Sequence, residues 1–483
     1  MPTNLELELA EQSRWRLRPE WSNADWFDRV LRNEFLAPDE HRRRENATVA
    51  ALIRTVAARV PYYRNLLKRL RTEPGDVRGV ADLAILPPLT RTEVQERGRE
   101  LQPDNPAPQE RPTGTVRTSG STGKPVVVLI TPRVFQMFAV FKQREWRWFR
   151  FDPSLRFGSI RPADDLPPTQ DGKLINRGQA SHLPYWPLVG VYFRTGPFIG
   201  FSNRNSIEAQ AQWLRENRPD YLLMQAAELE HLALQFPDDR RDVGLKGCLG
   251  ISQQLTDEMR ARIERAFGVP VGENYGLNEV GLVATRCPEG GRYHVHTENC
   301  FVEIVDKEGN PCRPGEWGRI LVTSFANPAQ RLIRYDADDL AQVAEGPCAC
   351  GRTLPSFAGL RGRYRRTSLL PPGTWEYWIA FQMALTRMPH DVSRPLRQYQ
   401  LHQFKDGRFE LRLVTTAPLS EQFESVIQDF WEKEGPGTGA PLRIVTVEEI
   451  PLPAGGKFQN FTSDFAPLGP EVAMQSASTP VPS

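Results

Sequence analysis

The hydrophobic positions along the chain change period several times, and those changes outline its elements. Residues 1 to about 70 read as helical. Trp15, Trp21 and Trp26 are early aromatic anchors, and Ala50-Ala51-Leu52-Ile53 runs through Val56-Ala57 into Val60-Pro61-Tyr62-Tyr63-Arg64. Val126-Val127-Val128-Leu129-Ile130 is a β-branched apolar run and predicts a strand. Phe135 to Phe149 is an aromatic-rich amphipathic helix, expected to pack as core. Ser206 caps a helix reaching Asn217, Pro219 to Met224 is a strand, Glu228 to Gln235 a short helix, and Cys248 to Ile251 another strand. Leu255, Met259, Ile263 and Phe267 recur every four residues, which marks one face of a helix that Gly268 ends. Val269-Pro270-Val271 then opens a further strand. The β–α–β–α order predicts an α/β domain with helices covering mixed or parallel sheets. Near the C-terminus, Tyr399 to Phe404 and Phe409 to Thr415 pair around Asp406-Gly407 as a hairpin. With a helix over Ser420 to Lys433 and a strand over Leu442 to Val447, they make a small α+β domain.

Bulk properties narrow the class. A chain of 483 residues is too long for one core, so at least two domains are expected. The balance of 61 basic to 59 acidic residues gives no electrostatic reason to expect nucleic acid or an anionic membrane as partner. No apolar run approaches the ~20 residues that span a bilayer. Met1 to Glu11 is polar and acidic, unlike a signal peptide, so a cytoplasmic location is expected. Six cysteines in so long a chain do not form a disulfide framework. Pro470 to Ser483 is small, polar and proline-bearing and reads as a disordered tail.

Candidate chemistry lies in four places. Thr118-Ser119-Gly120-Ser121-Thr122-Gly123-Lys124-Pro125 gathers hydroxyls, two glycines and a lysine with no bulky side chain among them. By itself the run fits a solvated hairpin turn or a cradle whose backbone N–H groups and hydroxyls face an oligophosphate. It joins strand to strand, and Pro125 follows the lysine, so it is not a Walker A loop, which needs a helix and a Ser or Thr there. Glu273-Asn274-Tyr275-Gly276-Leu277-Asn278-Glu279-Val280 offers a tyrosine face that can stack on a base and a glutamate whose oxygens suit Mg²⁺. Arg331-Leu332-Ile333-Arg334-Tyr335-Asp336-Ala337-Asp338-Asp339-Leu340 ends in a carboxylate that can accept from two hydroxyls, or forms a solvated acidic turn. Cys287, His294, Cys348 and Cys350 are three thiols and an imidazole of the kind that closes a tetrahedral Zn²⁺ site, although free thiols in loops fit as well, with His296 and Cys300 as decoys.

Together these runs resemble the adenylate-forming superfamily, in its phenylacetate–CoA ligase and coenzyme F390 synthetase branch. The resemblance includes Pro61-Tyr62-Tyr63-Arg64 and Leu86-Pro87-Pro88-Leu89-Thr90, which we read as packing features. It covers residues 48–366 well and 367–467 thinly. The family pattern at 275–280 is Tyr-Gly-Leu-Thr-Glu-Val, so Asn278 replaces a threonine. Its third pattern ends Arg-Thr-Gly-Asp-Leu, so Ala337-Asp338 replaces Thr-Gly, and Ile251-Ser252-Gln253 replaces a Gly-Ala-Glu step. The resemblance implies that Thr118, Ser119, Gly120, Ser121, Thr122, Gly123 and Lys124 bind the ATP phosphates. It implies that Tyr275, Gly276 and Asn278 meet the adenine and α-phosphate, Glu279 holds Mg²⁺, and Asp339 binds the ribose. Arg363 opens the hinge, and Lys457, after Gly455-Gly456, neutralises the joining carboxylate and phosphate. Cys287, His294, Cys348 and Cys350 take the places of a structural Zn²⁺ site in some members. Residues 161–205 contribute to the acid pocket, with His182, Tyr185, Trp186, Tyr192, Phe193 and Phe198 as possible lining. The implied architecture is a large domain over 1–362 with a helical lead-in over 1–70, a small lid over 363–467, and a tail over 468–483. The implied reaction joins a small carboxylic acid, aromatic or arylacetic, to AMP and then passes it to CoA, by a monomer or homodimer. Two alternatives stand beside it. One is a non-CoA acceptor, namely an amine, a carrier protein or a cofactor phenol that takes AMP. The other is a degenerate nucleotide-binding protein without turnover.

Overall fold

A computed structural model of the chain describes residues 4–21, 26–117, 126–169, 172–236, 243–253, 255–361, 387–433, 439–451 and 458–464, together with 377, 381 and 383–385. By compactness the chain falls into two units, each built from two stretches: Met1–Arg150 with Asn274–Arg363, and Phe151–Glu273 with Tyr364–Ser483.

The first unit opens with helices α1 (Asn4–Gln12), α2 (Trp26–Asn33), α3 (Pro38–Arg59) and α4 (Pro61–Leu70), as the lead-in predicted. Val49, Leu52, Ile53 and Val56 of α3 follow the spacing of one helical face, and all are buried in the unit's core. Val60 lies between α3 and α4 with φ −115°, the extended conformation that a residue before proline prefers. Helix α5 (Arg91–Arg97) starts from a capping box, in which Thr90 accepts from the Glu93 backbone and the Glu93 side chain returns the bond. Strands β1 (Gly114–Arg117) and β2 (Val127–Ile130) form an antiparallel pair, with Arg117 opposite Val127. The run between them is thus a strand-to-strand connection, as expected from the sequence. Helix α6 (Pro132–Trp148) follows.

The second half of this unit is an antiparallel sheet. It begins in the C-terminal half of β8 (Val271–Leu277) and continues with β9 (Gly281–Arg286), β10 (Tyr293–Val295), β11 (Cys300–Val305), β12 (Trp317–Ser324), β13 (Tyr335–Val343) and β14 (Ser356–Arg361). Its strand order is β11-β12-β13-β14-β10-β9-β8.

The sequence predicted that α6 packs as core; Phe141, Trp146 and Trp148 do so, and charged side chains are buried among them. Phe135 is 54% exposed, whereas Lys142, Arg144, Glu145 and Arg147 are buried beside Phe141, Trp146 and Trp148. The charges are tolerated because each has a partner. Glu34, just after α2, accepts from Arg144 Nε at 3.0 Å, from Trp148 Nε1 at 2.8 Å and from Arg147. Arg352 Nε lies 3.4 Å from the same carboxylate, and Arg147 also pairs with Glu8 of α1. The charged groups pin the helical lead-in to the sheet without exposing an ion to an apolar surrounding.

The second unit carries the predicted α/β pattern. Strands β3 (Phe157–Arg161), β4 (Ala180–Leu183), β5 (Phe198–Ser202), β6 (Tyr221–Gln225) and β7 (Gly247–Ile251) join the first half of β8 in the order β4-β5-β3-β6-β7-β8. All pairings among β3, β5, β6, β7 and β8 are parallel, and β4 is an antiparallel edge. Helices α7 (Ile207–Asn217), α8 (Ala226–Ala233) and α9 (Asp257–Phe267) make the crossovers. Ser206 and Thr256 cap α7 and α9 through their side chains, and Gly268 ends α9 in the left-handed region at φ 67°.

The C-terminal part of this unit is a four-stranded sheet, ordered β17 (Leu442–Thr446), β16 (Phe409–Thr415), β15 (Leu396–Gln403), β18 (Phe461–Ser463). It packs on α10 (Glu421–Lys433) through its own core of Tyr399, Leu401, Leu411, Phe423, Ile427 and Trp431. The hairpin turns at Gly407 with φ 86°, as Asp406-Gly407 predicted. Buried Glu230 of α8 accepts from Asn460 at 3.0 Å and from Tyr399 and Arg262, so this sheet is tied to α8 and α9 by one carboxylate.

Replacing Glu34 with Gln leaves three guanidinium groups around a neutral side chain. The expected cost is about 3–5 kcal/mol, read as a lower denaturant midpoint. Burial pushes the Glu34 carboxyl up, but Arg147, Arg144 and Arg352 together hold it below its ordinary 4.5. A depressed carboxyl gives stability that is full above its unfolded pKa and fades as pH falls through the folded value. The difference between Glu34→Gln and the parent therefore shrinks as the pH is taken below that range.

Candidate functional site

The two motifs of the first unit meet through a reciprocal exchange. Tyr275 on β8 donates its hydroxyl to Asp339 Oδ2 at 2.6 Å. Tyr335 on β13 donates to Glu279 Oε1 at 2.9 Å. Each segment thus supplies one tyrosine and, four residues later, one carboxylate, and each tyrosine serves the other segment's acid. Strands β8 and β13 are not neighbours, since β9, β10 and β14 lie between them. The sheet must curl to bring these side chains into contact, as twisted antiparallel sheets do.

Local backbone geometry sets up both carboxylates. Leu277 pairs with Gly281, so Asn278, Glu279 and Val280 form a three-residue hairpin turn closed by Gly281 at φ 89°. Opposite, β13 carries a bulge, because the register moves from Leu340 opposite Arg319 to Asp336 opposite Leu321. Ala337, Asp338 and Asp339 lie within that irregular stretch. Asp338 adopts φ 57°, a left-handed conformation in which glycine is easiest and Asp is among the tolerated alternatives. The Asp336 side chain accepts the Asp338 N–H at 3.0 Å and pairs with Arg319 at 2.9 Å. Asp338, which stands where the resembled pattern has glycine, is therefore braced by a residue two positions back.

Glu279 is 4% exposed. Its Oε1 faces Arg91 Nη1 at 3.3 Å as well as Tyr335. Its Oε2 is buried with no hydrogen-bond partner among the described residues. An acceptor-only oxygen left in that state is the kind of group a hard cation satisfies, so Glu279 fits Mg²⁺. Burial and the neighbouring Glu279 push the Tyr335 hydroxyl well above its usual range, which keeps it a donor. The Tyr275 ring is buried and meets Phe357 edge-on at 6.1 Å. Asn278 donates its amide to the Arg117 carbonyl at 3.1 Å, so it tethers the last residue of β1. Gly276 sits between Tyr275 and Leu277, where a Cβ would come within 3.2 Å of the Gly281 carbonyl.

Arg91 and Tyr335 were missed by sequence reasoning. Both lie in runs that the sequence singles out, one directly after Leu89-Thr90 and the other before Asp336, yet only the fold reveals that they share Glu279. Thr118, Ser119, Gly120, Ser121, Thr122, Gly123, Lys124, Arg363 and Lys457 lie outside the described residues. The candidate pocket aromatics of 182–198 differ in setting. His182 is exposed, Tyr185 and Tyr192 half-buried, and Phe193 and Phe198 buried. Trp186 is also buried, donating its indole N–H to the Leu155 carbonyl at 2.9 Å, which is a packing role. A recess of about 300 Å³ beside α5 and β2, lined by residues such as Val94, Arg99, Val127 and Gln330, contains none of the candidate residues.

Cys287, His294, Cys348 and Cys350, the four residues named from the resemblance, converge. One ligand atom from each lies within 4.8 Å of the others, and all four residues are buried. Tetrahedral Zn²⁺ with thiolate bonds of about 2.3 Å spaces its ligand atoms at roughly 3.8 Å, so the set fits that ion. His294 Nδ1 is 3.2 Å from the Leu354 carbonyl, which leaves Nε2, 3.3 Å from Cys350 Sγ, facing the cluster. A hydrogen bond from Cys287 pulls the Cys350 thiol down to about 2 against the effect of burial, and His294 adds to the pull. Gly290 is held close, since a Cβ there would come within 2.1 Å of Cys348 Sγ. His296 and Cys300 are not in this set. His296 instead contacts Arg144 at 2.9 Å and stacks on Phe141.

Comparison with known proteins gives a consistent picture. No protein-family model matches the chain. The chain is 25% identical over 409 residues to a phenylacetate–coenzyme A ligase of Thermus thermophilus, covering 82% of this chain and 86% of that protein. It is 28% identical over 310 residues to the phenylacetate–coenzyme A ligase of Escherichia coli, covering 62% and 66%. A crystal structure of 2-hydroxyisobutyryl-CoA ligase, in the postadenylation state with R3-HIB-AMP, matches with TM-score 0.68 at 16% identity, covering 93% of this chain and 94% of that one. At that identity the likeness is one of fold. Among the described residues no helix is long and apolar enough to cross a membrane.

Arg91→Met leaves Glu279 buried with the Tyr335 hydroxyl as its donor. The change is expected to cost about 3–5 kcal/mol, the range for breaking a buried ion pair, and Arg91→Lys less. Equilibrium unfolding of both variants beside the parent measures the difference.

Proposed function

We propose that this chain, a member of the adenylate-forming superfamily in its phenylacetate–CoA ligase-like branch, activates a carboxylic acid with ATP and transfers it to CoA. The observation that supports this reading is the reciprocal pairing of Tyr275 with Asp339 and Tyr335 with Glu279, which ties the second and third motifs to each other. A carboxylate oxygen of the acid bonds to the α-phosphorus of ATP and pyrophosphate leaves. The CoA sulfur then bonds to the acyl carbon, AMP leaves, and the thiol proton passes to solvent. Little covalent chemistry falls to the protein, so positioning and charge compensation supply the catalysis.

The roles follow from the side chains. Asp339 accepts from the ribose hydroxyls while Tyr275 holds its Oδ2, and the tyrosine face meets the adenine. Glu279 binds Mg²⁺, which neutralises charge on the departing phosphates, with Arg91 and Tyr335 fixing the carboxylate. Residues 118–124 cradle the β- and γ-phosphates, and Asn278 anchors the strand that leads into them. Lys457 meets the negative charge that develops as acid and α-phosphate join, and Arg363 belongs to the hinge before a lid over 363–467. Cys287, His294, Cys348 and Cys350 hold Zn²⁺ as a structural ion. The acid is aromatic or arylacetic, in keeping with the phenylacetate relatives, and the protein works in the cytoplasm.

The test is pyrophosphate exchange against a panel of acids, followed by mass analysis of products with and without CoA. An acyl-CoA product supports the reading, whereas ATP-dependent products only with amines, carrier proteins or cofactor phenols would replace the acceptor. ATP binding without exchange for any acid would leave a nucleotide-binding protein without turnover. Asp339→Asn is expected to raise KM for ATP by about 10–100-fold, the equivalent of one lost charge-assisted interaction. Lys457→Ala should abolish adenylate formation and leave calorimetric ATP binding nearly intact. Elemental analysis of the purified protein should find one zinc per chain, lost in Cys350→Ser.

A further inference from the structure

The first unit holds a recess that the nucleotide motifs do not use. Its volume is about 300 Å³, and its lining includes Val94 and Glu96 of α5, Arg99 just beyond that helix, Val127 and Leu129 of β2, and Gln330 between β12 and β13. All of these residues belong to the first unit. A volume of this size lies at the small end of ligand sites.

Gln330 is 1% exposed, and only one end of its amide is occupied. Its Oε1 accepts the Leu129 N–H at 2.9 Å. Asn327 Nδ2 donates to the Leu129 carbonyl at 2.8 Å. Two side-chain amides thus cover the outer edge of β2 where a neighbouring strand would pair. The bond to Leu129 also fixes the amide's orientation, because a backbone N–H needs an oxygen opposite it. Gln330 Nε2 is then a donor, and it is buried without a hydrogen-bond partner among the described residues. It lies against the wall of the recess, since a Cβ on Gly98, another lining residue, would come within 3.5 Å of it. A buried N–H left unpaired is costly, and an arriving acceptor removes that cost.

The rest of the lining indicates what carries the acceptor. Val94 is buried and Val127 is 38% exposed, so apolar surface flanks the donor. Arg99 and Glu96 are both exposed and opposite in charge, so together they select for neither sign. The choice falls to Gln330, which favours an oxygen acceptor and offers nothing to a cation.

We propose that this recess is a ligand site for a small apolar molecule bearing a carbonyl oxygen, as a carboxylate or an amide does. Gln330 Nε2 donates to that oxygen, and the apolar part lies on Val94 and Val127. The site draws on the first unit alone and is separate from the Tyr275, Glu279, Tyr335 and Asp339 cluster.

The test is photolabelling of the full chain followed by peptide mass mapping. The probes are a short alkyl carboxylic acid carrying a diazirine and the N,N-dimethylamide of the same acid. At least one is expected to label residues 94–102 or 127–130, and an excess of its photo-inert analogue should suppress that label. Labelling by the acid alone identifies the occupant as a carboxylate, and labelling by both as a carbonyl compound in general. Gln330→Glu keeps an oxygen for the Leu129 N–H while removing the donor from the recess. It should cut the recess label by about 5–10-fold, the equivalent of one hydrogen bond. Val127→Trp, which fills the recess from a half-open strand position, should abolish the label over 94–102. Circular dichroism checks that each variant is folded, and if Gln330→Glu is not, Val127→Trp decides. Label confined to other peptides, label that the analogue does not suppress, or label unchanged in a folded variant overturns the site. Because the labelled peptide is read directly, an acid bound elsewhere does not count, and the outcome is independent of whether the chain activates acids.

Discussion

Two carboxylates can be held together in a protein interior only if each has its own donor, and that requirement governs the first unit. Glu279 and Asp339 lie on segments 56 to 64 residues from their tyrosine partners, and both are almost fully buried. Had each tyrosine served the carboxylate of its own segment, neither of these hydrogen bonds would join β8 to β13. Crossing the donors makes every hydrogen bond a tie between motifs, so the curl of the sheet and the placing of the acids become one constraint. Arg91 adds the cation and brings α5 into the same arrangement. Asn278, in the turn that carries Glu279, extends it to the end of β1. Four separate stretches of sequence thus depend on a few short bonds around two acids.

The elements of the fold were legible because their signals are local. Ser206 and Gly268 bound their helices as caps, Leu255 to Phe267 kept helical spacing, and Asp406-Gly407 turned a hairpin. The four metal-type ligands were legible as a set because their residue types are scarce. What could not be read is non-local. No feature of residues 86–91 announces that Arg91 will meet Glu279 across 188 positions of sequence. Nor does the amphipathic pattern of α6 reveal buried Arg144 and Arg147, whose partners Glu8, Glu34 and Glu298 come from other stretches. A helical pattern records which positions are apolar, but burial of a charge is decided by where its counter-ion arrives.

Both units leave an acid incompletely satisfied, and the two cases differ in kind. Glu279 has the Arg91 guanidinium beside it, and its second oxygen is left to be offered to a metal. Glu228 of α8 has only the neutral Asn203 amide, and burial pushes it towards the protonated form. The same side chain is thus set differently by the charge of its neighbour.

The departures from the family pattern bear on whether the site still functions. A decaying site would be expected to lose its costly features first, since buried ions and left-handed residues destabilise when unsupported. Here the reverse holds. Asp338 stands where the family has glycine, yet it keeps the left-handed φ of 57° and is braced by Asp336. Asn278 stands where the family has threonine, and its amide reaches the Arg117 carbonyl, a bond that needs a donor on a side chain of this length. Asp336, in the place of a family arginine, is matched by Arg319 across the ladder. Asp336 and Asp338 brace the backbone path to Asp339, and Asn278 ties the turn carrying Glu279 to β1. Such compensation keeps the backbone at each departure supported by a named neighbour.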